Sequence, residues 1–313
     1  MAQSRRLSDL AGAINQRARL PEPPHVIALS GGADSAALAD VVIGNFDDPP
    51  RCVHVHHGLA HSDLLAAAAE SIADEQSLSV DVVSVQIPEG PSPEAMAREV
   101  RYSALETSLR TNESMLLGHT RNDQAETVLL NLVRGSGMRG LAGMPYRRGA
   151  RFFRPFLDVS RDETREYAML RGLPFVDDPT NSDRTIRRNR IRLDVIPRLE
   201  ELNPNLVEAL ARTAEYVRED SEYLDRLVIL PANSEDNSAR VPTGVLAALD
   251  QPLRFRAIAG LVASVREREG LTSAELARIE DVLDGRSGRA ELEGGVAVDK
   301  AGPFLVVTST VDS

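Results

Sequence analysis

The chain has 313 residues, of which 42% are hydrophobic and 27% charged, a balance typical of a protein with a buried core. Its formal net charge of −11 argues against a protein that coats nucleic acid by bulk charge, although a local basic surface stays compatible with RNA binding. The single Cys52 excludes an internal disulfide framework and a CxxC metal or redox site, and no apolar run approaches a membrane span, so we expect a cytoplasmic protein.

Strands and helices alternate along the first part of the chain. Short apolar runs predict four strands, at His25–Leu29, Arg51–His57, Ser79–Gln86 and Met115–Gly118. Helices are predicted between and after them, at residues 36–42, at 63–76, from Pro93 onward and at 124–133. This order predicts an α/β fold with a doubly wound parallel sheet, Rossmann-like in architecture.

The turn between the first strand and the first of these helices reads Ser30-Gly31-Gly32-Ala33-Asp34-Ser35. Bare backbone at a helix start is suited to phosphate oxygens, and the two serines can add hydroxyl donors. A carboxylate beside phosphate is repulsive unless a cation lies between them, so Asp34 points to Mg²⁺. Neither the Walker A pattern nor the dinucleotide pattern G-x-G-x-x-G fits this turn.

Polar residues also follow the second and fourth strands, and they include His57 and His119. Ligands of such sheets bind outside the carboxyl ends of the strands, so we expect one shared crevice. Asp123 and Glu126 are three residues apart on a helix and share a face, which suits Mg²⁺ or an ammonium group. The alternative is that the two acids only make a polar helix start, where negative charge is favoured by the helix dipole. Zinc at the histidine-rich second strand is disfavoured, because no cysteine or nearby acid completes a ligand set.

Arg98 and Arg101 lie on one face of the helix that begins at Pro93. They can form a guanidinium fork for a carboxylate or a phosphate, and a solvated helix face is the alternative. Further on, the glycine-rich segment Arg134–Arg151 predicts a long flexible loop. The segment Arg187–Glu201 is predicted to be helical despite its proline.

A change in composition near residue 202 predicts a domain boundary, with a catalytic domain at 1–202 and a smaller, mainly helical domain at 203–313. A linker is predicted at Pro231–Asn237. The second domain is predicted to end in a β-hairpin formed by Ala290–Val298 and Phe304–Thr308.

The loop Ser30–Ser35 resembles that of the PP-loop ATP pyrophosphatases, which grip pyrophosphate while a nucleophile attacks the α-phosphorus of ATP. Other segments occur in the order and spacing of the tRNA(Ile)-lysidine synthases within that superfamily. They are His54–Leu59, Arg98–Tyr102, Gly118–Thr127, Gly137–Met144, Arg154-Pro155, Asp178–Asn181 and Arg188–Arg192. The chain resembles a short form of that family, without the extra carboxy-terminal domain of longer relatives.

The resemblance implies an adenine nucleotide alpha hydrolase-like fold and a ligase reaction. The wobble cytidine of the CAU anticodon of tRNA(Ile) is adenylated by ATP, and the ε-amine of free L-lysine then displaces AMP. The product, lysidine, changes decoding from AUG to AUA.

The resemblance also implies site residues. The ATP site comprises Ser30, Gly31, Gly32, Ala33, Asp34, Ser35, His57 and His119, with Mg²⁺ on Asp34. Binding of lysine is assigned to Arg98, Arg101, Asp123 and Glu126. The catalytic residues are Asp34, Asp123 and Glu126, and exchange of the lysine and Mg²⁺ roles among these acids stays open. Binding of the tRNA is assigned to Arg139, Arg188, Arg190 and Arg192.

Two rival interpretations belong to other classes. A PP-loop tRNA thiolase generally needs paired cysteines, and this chain has Cys52 alone. A nucleotide-dependent tRNA-binding protein without turnover would have no need for Asp34, Asp123 and Glu126. The oligomeric state does not follow from the sequence.

Overall fold

The amino-terminal part of the chain folds around one mostly parallel sheet, as the alternation of strands and helices predicts. The computed structural model describes residues 2–58, 61–88, 93–229, 233–235, 237–265 and 270–310. The chain divides into two compact units, Met1–Arg218 and Glu219–Ser313. This division falls later than the expected boundary at residue 202, because the first half of the helix Leu206–Arg226 packs against the first unit.

The elements of the first unit follow one another with short connections. Its strands are β1 (His25–Ala28), β2 (Arg51–His56), β3 (Val80–Ser84), β4 (Ser114–Leu117), β5 (Arg147–Arg148) and β6 (Phe152–Phe153). The helices up to the division are α1 (Ala2–Arg17), α2 (Ala33–Asn45), α3 (Ser62–Glu75), α4 (Pro93–Ser108), α5 (Arg121–Val133), α6 (Met138–Leu141), α7 (Arg161–Arg171), α8 (Arg187–Arg190), α9 (Ile196–Glu200) and α10 (Leu206–Arg226).

The strand order of this sheet is β3-β2-β1-β4-β6-β5. Strand β1 pairs in parallel with β2 on one side and with β4 on the other, so the chain leaves β1 at the point where the strand order reverses. Crevices for ligands form at such a point, outside the carboxyl ends of the strands. Only the edge strand β5 runs antiparallel, against β6.

Alternate residues of the central strands build two apolar layers. Ile27 and Leu116 pack with α1, α2 and α7 on one face, while Val26 and Met115 pack with α4 on the other. All four side chains are fully buried. Burial on both faces explains why these strands read as continuous apolar runs rather than alternating ones.

The segment Arg134–Arg151 is more ordered than the flexible loop that the sequence predicts. It contains α6 and the edge strand β5. Side chains of α5 hold it: the amide of Gln124 exchanges hydrogen bonds with the backbone of Met144, and Nδ2 of Asn131 donates to the carbonyl oxygen of Gly140 at 2.7 Å. Because these contacts come from another helix, the glycine content of the segment does not reveal them.

The predicted helix Arg187–Glu201 forms, but with an irregularity. Helix α8 passes into a π-helical turn at Ile191–Val195, and α9 begins just before Pro197. The turn widens the backbone where Pro197 has no N–H to donate. Upstream, Nδ2 of the buried Asn189 donates to two carbonyl oxygens and fixes the preceding loop.

The second unit contains more strand than the sequence predicts. Its strands are β7 (Asn233–Glu235), β8 (Ser238–Pro242), β9 (Arg289–Leu292), β10 (Val296–Ala301) and β11 (Phe304–Ser309). Its complete helices are α11 (Thr243–Ala247), α12 (Gln251–Ala263) and α13 (Ser273–Leu283). The strands form one antiparallel sheet in the order β7-β8-β11-β10-β9.

Two predictions for this unit need correction. The expected linker Pro231–Asn237 contains β7, which pairs with β8, while residues 231, 232 and 236 lie outside the described residues. The expected single strand Ala290–Val298 is two strands, since Gly294 and Gly295 adopt φ of +76° and +69° and reverse the chain between β9 and β10. The predicted hairpin is therefore part of a five-stranded sheet.

Candidate active site

A cleft of about 460 Å³ opens at the carboxyl ends of the central strands. The loop Ser30–Ser35 follows β1, His57 follows β2, and His119 and Asp123 follow β4, and all of these segments contribute to its wall. The three polar segments that the sequence places at one edge of the sheet do lie together. Their distribution over three strands makes the cleft suited to a ligand with several polar groups.

The loop between β1 and α2 has the geometry of an oxyanion site. Gly31 has a φ of +85°, and a Cβ there would lie 2.6 Å from the carbonyl oxygen of Leu65, so glycine is required. Oγ of Ser35 donates to the carbonyl oxygen of Gly32 at 2.9 Å and lies 3.0 Å from Oγ of Ser30, which stiffens the loop. No side-chain cap hydrogen bond forms at the N-cap Gly32 of helix α2, and uncapped N–H groups at a helix start can bind an anion.

Asp34 places a carboxylate in the cleft beside this loop. Oδ1 accepts a hydrogen bond from the hydroxyl of Thr164, and Oδ2 lies 4.0 Å from Nε of Arg161. Burial raises the pKa of Asp34 to about 6, and the nearby negative charge of Asp123 acts in the same direction. A cation that approaches this carboxylate therefore stabilises its ionised form.

Asp123 and Glu126 share one face of α5, as their spacing predicts, but three arginines from later elements hold them. Glu126 is fully buried and accepts from Arg161 at 3.1 Å, from Arg188 at 2.6 Å and from Arg192 at 2.7 Å. Asp123 accepts from Arg161 at 2.9 Å and from Arg188 at 3.2 Å. We call these five residues the arginine–carboxylate cluster. Its two negative charges face three positive ones.

Asp123 has a second role at the start of α5. Its Oδ2 accepts from the backbone N–H and the hydroxyl of Thr120 at 2.7 and 2.8 Å, which forms a capping box. Burial raises the pKa of Asp123, but the charges of Arg161 and Arg188 outweigh it and hold the pKa well below the usual range. The acid is therefore ionised, and it stabilises the helix as well as facing the cleft.

Guanidinium groups stand where an ammonium group was expected. Asp123 contributes to the wall of the cleft, whereas Glu126 lies behind it. A cationic ligand reaches these carboxylates only when an arginine of the cluster moves aside. The assignment of lysine to Asp123 and Glu126 stays a prediction, and in the structure arginines pair with both acids.

His57 and His119 both line the cleft and both carry a buried Nδ1 without a hydrogen-bond partner. Burial lowers the pKa of each ring, and nearby arginines lower it further for both. Both rings are therefore neutral at physiological pH. A neutral imidazole can donate or accept one hydrogen bond, as contact with a nucleotide requires.

Arg101 lines the cleft, and no carboxylate among the described residues pairs with it. Arg98 stands one helical turn earlier, outside the wall of the cleft, and donates to Oη of Tyr102 at 3.3 Å. Burial lowers the pKa of both guanidinium groups, that of Arg98 to about 10, so Arg98 keeps its charge at neutral pH. The predicted fork therefore separates into Arg101 facing the cleft and Arg98 facing a tyrosine.

The four arginines assigned to tRNA fall into two groups. Arg188 and Arg192 belong to the arginine–carboxylate cluster and line the cleft. Arg139 and Arg190 are exposed, on α6 and α8. The second pair lies on the surface, whereas the first pair is held by the acids of α5.

Two residues of α7 contact these acids and were not predicted from the sequence: Thr164 contacts Asp34, and Arg161 contacts both Asp34 and Asp123. One signal was available: Arg161 directly follows the N-cap Ser160, and a helix dipole favours an acid rather than a base at that position. A cation at the start of a helix needs a partner elsewhere. The acids of α5 supply it.

Three further findings concern the part of the chain that the structure describes. No helix there is long and apolar enough to cross a membrane. No group of three or more His, Cys, Asp or Glu side chains there is arranged to hold a metal ion. Cys52 is fully buried, and burial raises the pKa of its thiol to about 12, so it offers no thiolate.

The sheet, the uncapped glycine loop at its edge and the acid beside that loop define a PP-loop nucleotide-binding domain. A sequence profile described as the PP-loop domain matches residues 5–199. The fold is similar to that of the U34-tRNA thiolase NcsA from Methanococcus maripaludis, with a TM-score of 0.54 and 17% identity over 68% of this chain and 80% of that one. This likeness concerns the fold alone.

Curated relatives narrow the class. The chain is 38% identical over 305 residues to the tRNA(Ile)-lysidine synthase of Streptomyces coelicolor, which covers 92% of this chain and 86% of that protein. It is 40% identical over 265 residues to the tRNA(Ile)-lysidine synthase of Thermobifida fusca, which covers 80% of each. The chain belongs to the tRNA(Ile)-lysidine synthase family.

Proposed function

We propose that this chain converts the wobble cytidine of the CAU anticodon of tRNA(Ile) to lysidine, using ATP and free L-lysine. The observation that carries the proposal is the cleft that joins the oxyanion loop Ser30–Ser35 to Asp123 and Arg101, in a chain of the lysidine synthase family. These groups suit a nucleotide and an amino acid held side by side.

ATP binds with its β- and γ-phosphates against the loop and the start of α2, because the N–H groups there have no side-chain cap. His57 and His119 contact the rest of the nucleotide through their neutral rings. The loop thereby stabilises the charge that develops on pyrophosphate as it leaves. The oxygen at C2 of the cytidine attacks the α-phosphorus, and an adenylated cytidine results.

Asp34 is suited to hold Mg²⁺ with the phosphates. Burial raises the pKa of its carboxyl, and Mg²⁺ is commonly bound through one or two carboxylates together with substrate phosphates. When bound, the ion supplies charge neutralisation on the phosphate oxygens. Asp34 would hold the ion, and its carboxylate is fixed by the hydrogen bond from the hydroxyl of Thr164.

Free lysine is held by its two ends. Its α-carboxylate pairs with Arg101, which forms no salt bridge with a carboxylate of the described residues. Its α-ammonium binds Asp123 once an arginine of the cluster has moved. The ε-amine, after losing a proton, attacks C2 of the adenylated cytidine. The bond from C2 to the AMP oxygen breaks, and AMP leaves.

The test is an incubation of the protein with ATP, Mg²⁺, labelled lysine and unmodified tRNA(Ile) with the CAU anticodon. Initiator tRNA(Met), which shares that anticodon, is the control. We expect label on tRNA(Ile) alone. Pyrophosphate release that depends on tRNA without incorporation of label would keep the adenylation step and reject lysine as the nucleophile. Absence of both signals would favour a tRNA-binding protein without turnover.

A further inference from the structure

A cluster of arginines surrounds Tyr102, outside the wall of the cleft. Tyr102 is 7% exposed, and its ring packs on Phe152 with the ring centres 5.3 Å apart. Cζ of Arg148 lies 4.3 Å from the ring centre and Cζ of Arg98 lies 5.0 Å from it. Nη2 of Arg154 donates to Oη of Tyr102 at 3.0 Å. We call these three arginines the tyrosine-centred cluster.

The hairpin β5–β6 brings Arg148 to this place. Arg148 is paired with Phe152 across the hairpin, and Phe152 is the residue on which Tyr102 packs. Arg154 is almost fully buried, and Nη1 donates to the carbonyl oxygen of Pro145 at 2.6 Å. Arg154 thus fixes the tyrosine, while Arg98 and Arg148 remain partly exposed.

No carboxylate among the described residues pairs with any arginine of the tyrosine-centred cluster. Cation–π contact offsets only part of the mutual repulsion of guanidinium groups brought to one ring. This arrangement contrasts with the arginine–carboxylate cluster nearby, where acids balance the charge. Cations gathered without acids indicate that an anion completes the site.

The position of the cluster selects the kind of anion. Arg101 lines the cleft and can meet the carboxylate of a small ligand there, whereas Arg98, Arg148 and Arg154 are not part of the cleft wall. Arg148 lies on the edge strand β5 and contacts Tyr102 of α4, the helix on which Arg98 precedes the cleft residue Arg101 by one turn. An anion that meets Arg98 and Arg148 therefore belongs to a molecule that extends outside the cleft while one of its groups enters.

We propose that Arg98 and Arg148 bind a backbone phosphodiester of the tRNA next to the cytidine that enters the cleft. Arg154 is a positioning residue, because it holds the tyrosine on which both guanidinium groups lie. The inference rests on the proposed function, since it takes the target base to be in the cleft. It adds a phosphate site that anchors the anticodon strand while the base is unstacked.

The test compares Arg148→Gln with Arg147→Gln in the full chain. Arg147 is the neighbour on the same hairpin, where it donates to the carbonyl oxygens of Gly149 and Ala150, so the control removes an equal charge from the adjacent position. Binding of unmodified tRNA(Ile) is measured by fluorescence anisotropy over a range of salt concentrations, without ATP. Thermal unfolding of both variants accompanies the binding data.

For Arg148→Gln we expect the Kd for tRNA to rise about 5- to 10-fold and the slope of log Kd against log salt to fall by about 0.7 to 1, as for one lost phosphate contact. Arg147→Gln is expected to change neither. The KM for lysine at saturating tRNA is expected to stay within about twofold for Arg148→Gln, because the α-carboxylate takes Arg101. Arg98→Gln is a second variant and should reproduce the change in slope.

Three results would overturn the inference. One is a higher KM for lysine with unchanged tRNA binding, which would make the cluster a carboxylate site. Another is equal weakening by Arg147→Gln, which would show an effect of bulk charge. The third is unchanged tRNA binding in both Arg148→Gln and Arg98→Gln. A wild-type protein that binds tRNA but incorporates no lysine would reject the proposed function and leave this comparison intact.

Discussion

Glu126 carries a buried negative charge that three guanidinium groups share. Its contacts to Arg161, Arg188 and Arg192 measure 3.1, 2.6 and 2.7 Å, and its side chain has no exposed surface. Removal of one partner from a buried ionic group leaves charges that neither water nor protein balances. The residue therefore has a structural role whatever its part in the reaction.

We expect Glu126→Gln to lower the free energy of unfolding by about 3 to 5 kcal/mol, because it leaves three arginines with Asp123 alone. Urea unfolding followed by circular dichroism measures the change. Glu106→Gln is the matched control, since Glu106 is exposed on α4. An equal stability of the two variants would contradict the shared-charge description of the cluster.

Asp34→Asn is expected to act on catalysis rather than on stability. Burial raises the pKa of Asp34 to about 6, so loss of its charge costs the fold little. A rate of tRNA-dependent pyrophosphate release at least about 100-fold lower is expected, as for loss of one group that stabilises developing charge. Asp162→Asn, an exposed change on α7, serves as control. Retained pyrophosphate release would remove Asp34 from the metal site.

At the scale of single residues, the sequence indicates which side chains reach the cleft better than it indicates their partners. The loop and His119 could be placed because each follows a predicted strand, and ligands meet strand ends. The partners of Asp123 and Glu126 could not, since Arg161 and Arg188 are separated from them by two or more intervening elements. Contacts over such separations depend on tertiary packing.

Among the elements, the turn from β1 to α2 is the most constrained. Gly31 combines a φ of +85° with a Cβ position only 2.6 Å from a backbone oxygen of α3. We expect Gly31→Ala to reduce the free energy of unfolding by about 2 to 4 kcal/mol and to raise the KM for ATP. Thermal unfolding and initial rates measure the two effects.

Gly12→Ala provides the matched comparison on α1. Nothing lies within 4 Å of a Cβ at Gly12, and its φ is not positive, so the change is expected to stabilise by about 0.5 to 1 kcal/mol. Similar effects of the two substitutions would show that the loop is freer than its geometry indicates.

Helix α7 begins with a capping box that responds to pH. Burial raises the pKa of Glu163, but hydrogen bonds from Arg17 and Ser160 outweigh it and lower the pKa to about 2, from 4.5 for a free glutamate. The stabilisation is therefore complete above about pH 4.5 and is lost as the pH falls towards 2. Wild type is expected to lose about 1 kcal/mol more than Glu163→Gln over that interval, by urea unfolding. Parallel curves for the two proteins would reject this assignment.

The elements most difficult to predict were those fixed by neighbours. Apolar runs identified β1, β2 and β4 because these strands are buried on both faces, whereas β3 lies at the edge of the sheet and is largely exposed. The edge strand β5 has two arginines and no apolar pattern, and it forms because it pairs with β6. The π-helical turn at Ile191–Val195 likewise has no local signal except the proline that follows it.

For the whole molecule, the order of strands and helices predicted the first unit well and the second poorly. The sheet of the second unit is built from strands with polar residues on one side, such as Arg289–Leu292 and Phe304–Ser309, and from the three-residue β7. Short antiparallel strands give weak periodic signals, so a linker was expected where a strand lies.

The second unit has its own apolar core, in which Ile258 is fully buried. We expect Ile258→Ala to destabilise that unit by about 2 to 4 kcal/mol through loss of contacts and the cavity that remains. Hydrogen exchange should quicken mainly within residues 239–307. Equal acceleration in β1 and β4 would show that the two units open together.

The arginine–carboxylate cluster has a consequence for the order in which substrates bind. Arg188 and Arg192 belong to the same chain as the carboxylates with which they pair. Their effective concentration at these carboxylates is therefore on the order of millimolar or higher, and free lysine has to compete with them. Phosphates are strong alternative partners for a guanidinium group. Lysine is therefore expected to enter last, after ATP and tRNA have drawn these arginines away, so that the amino acid is admitted only when a cytidine is ready to receive it.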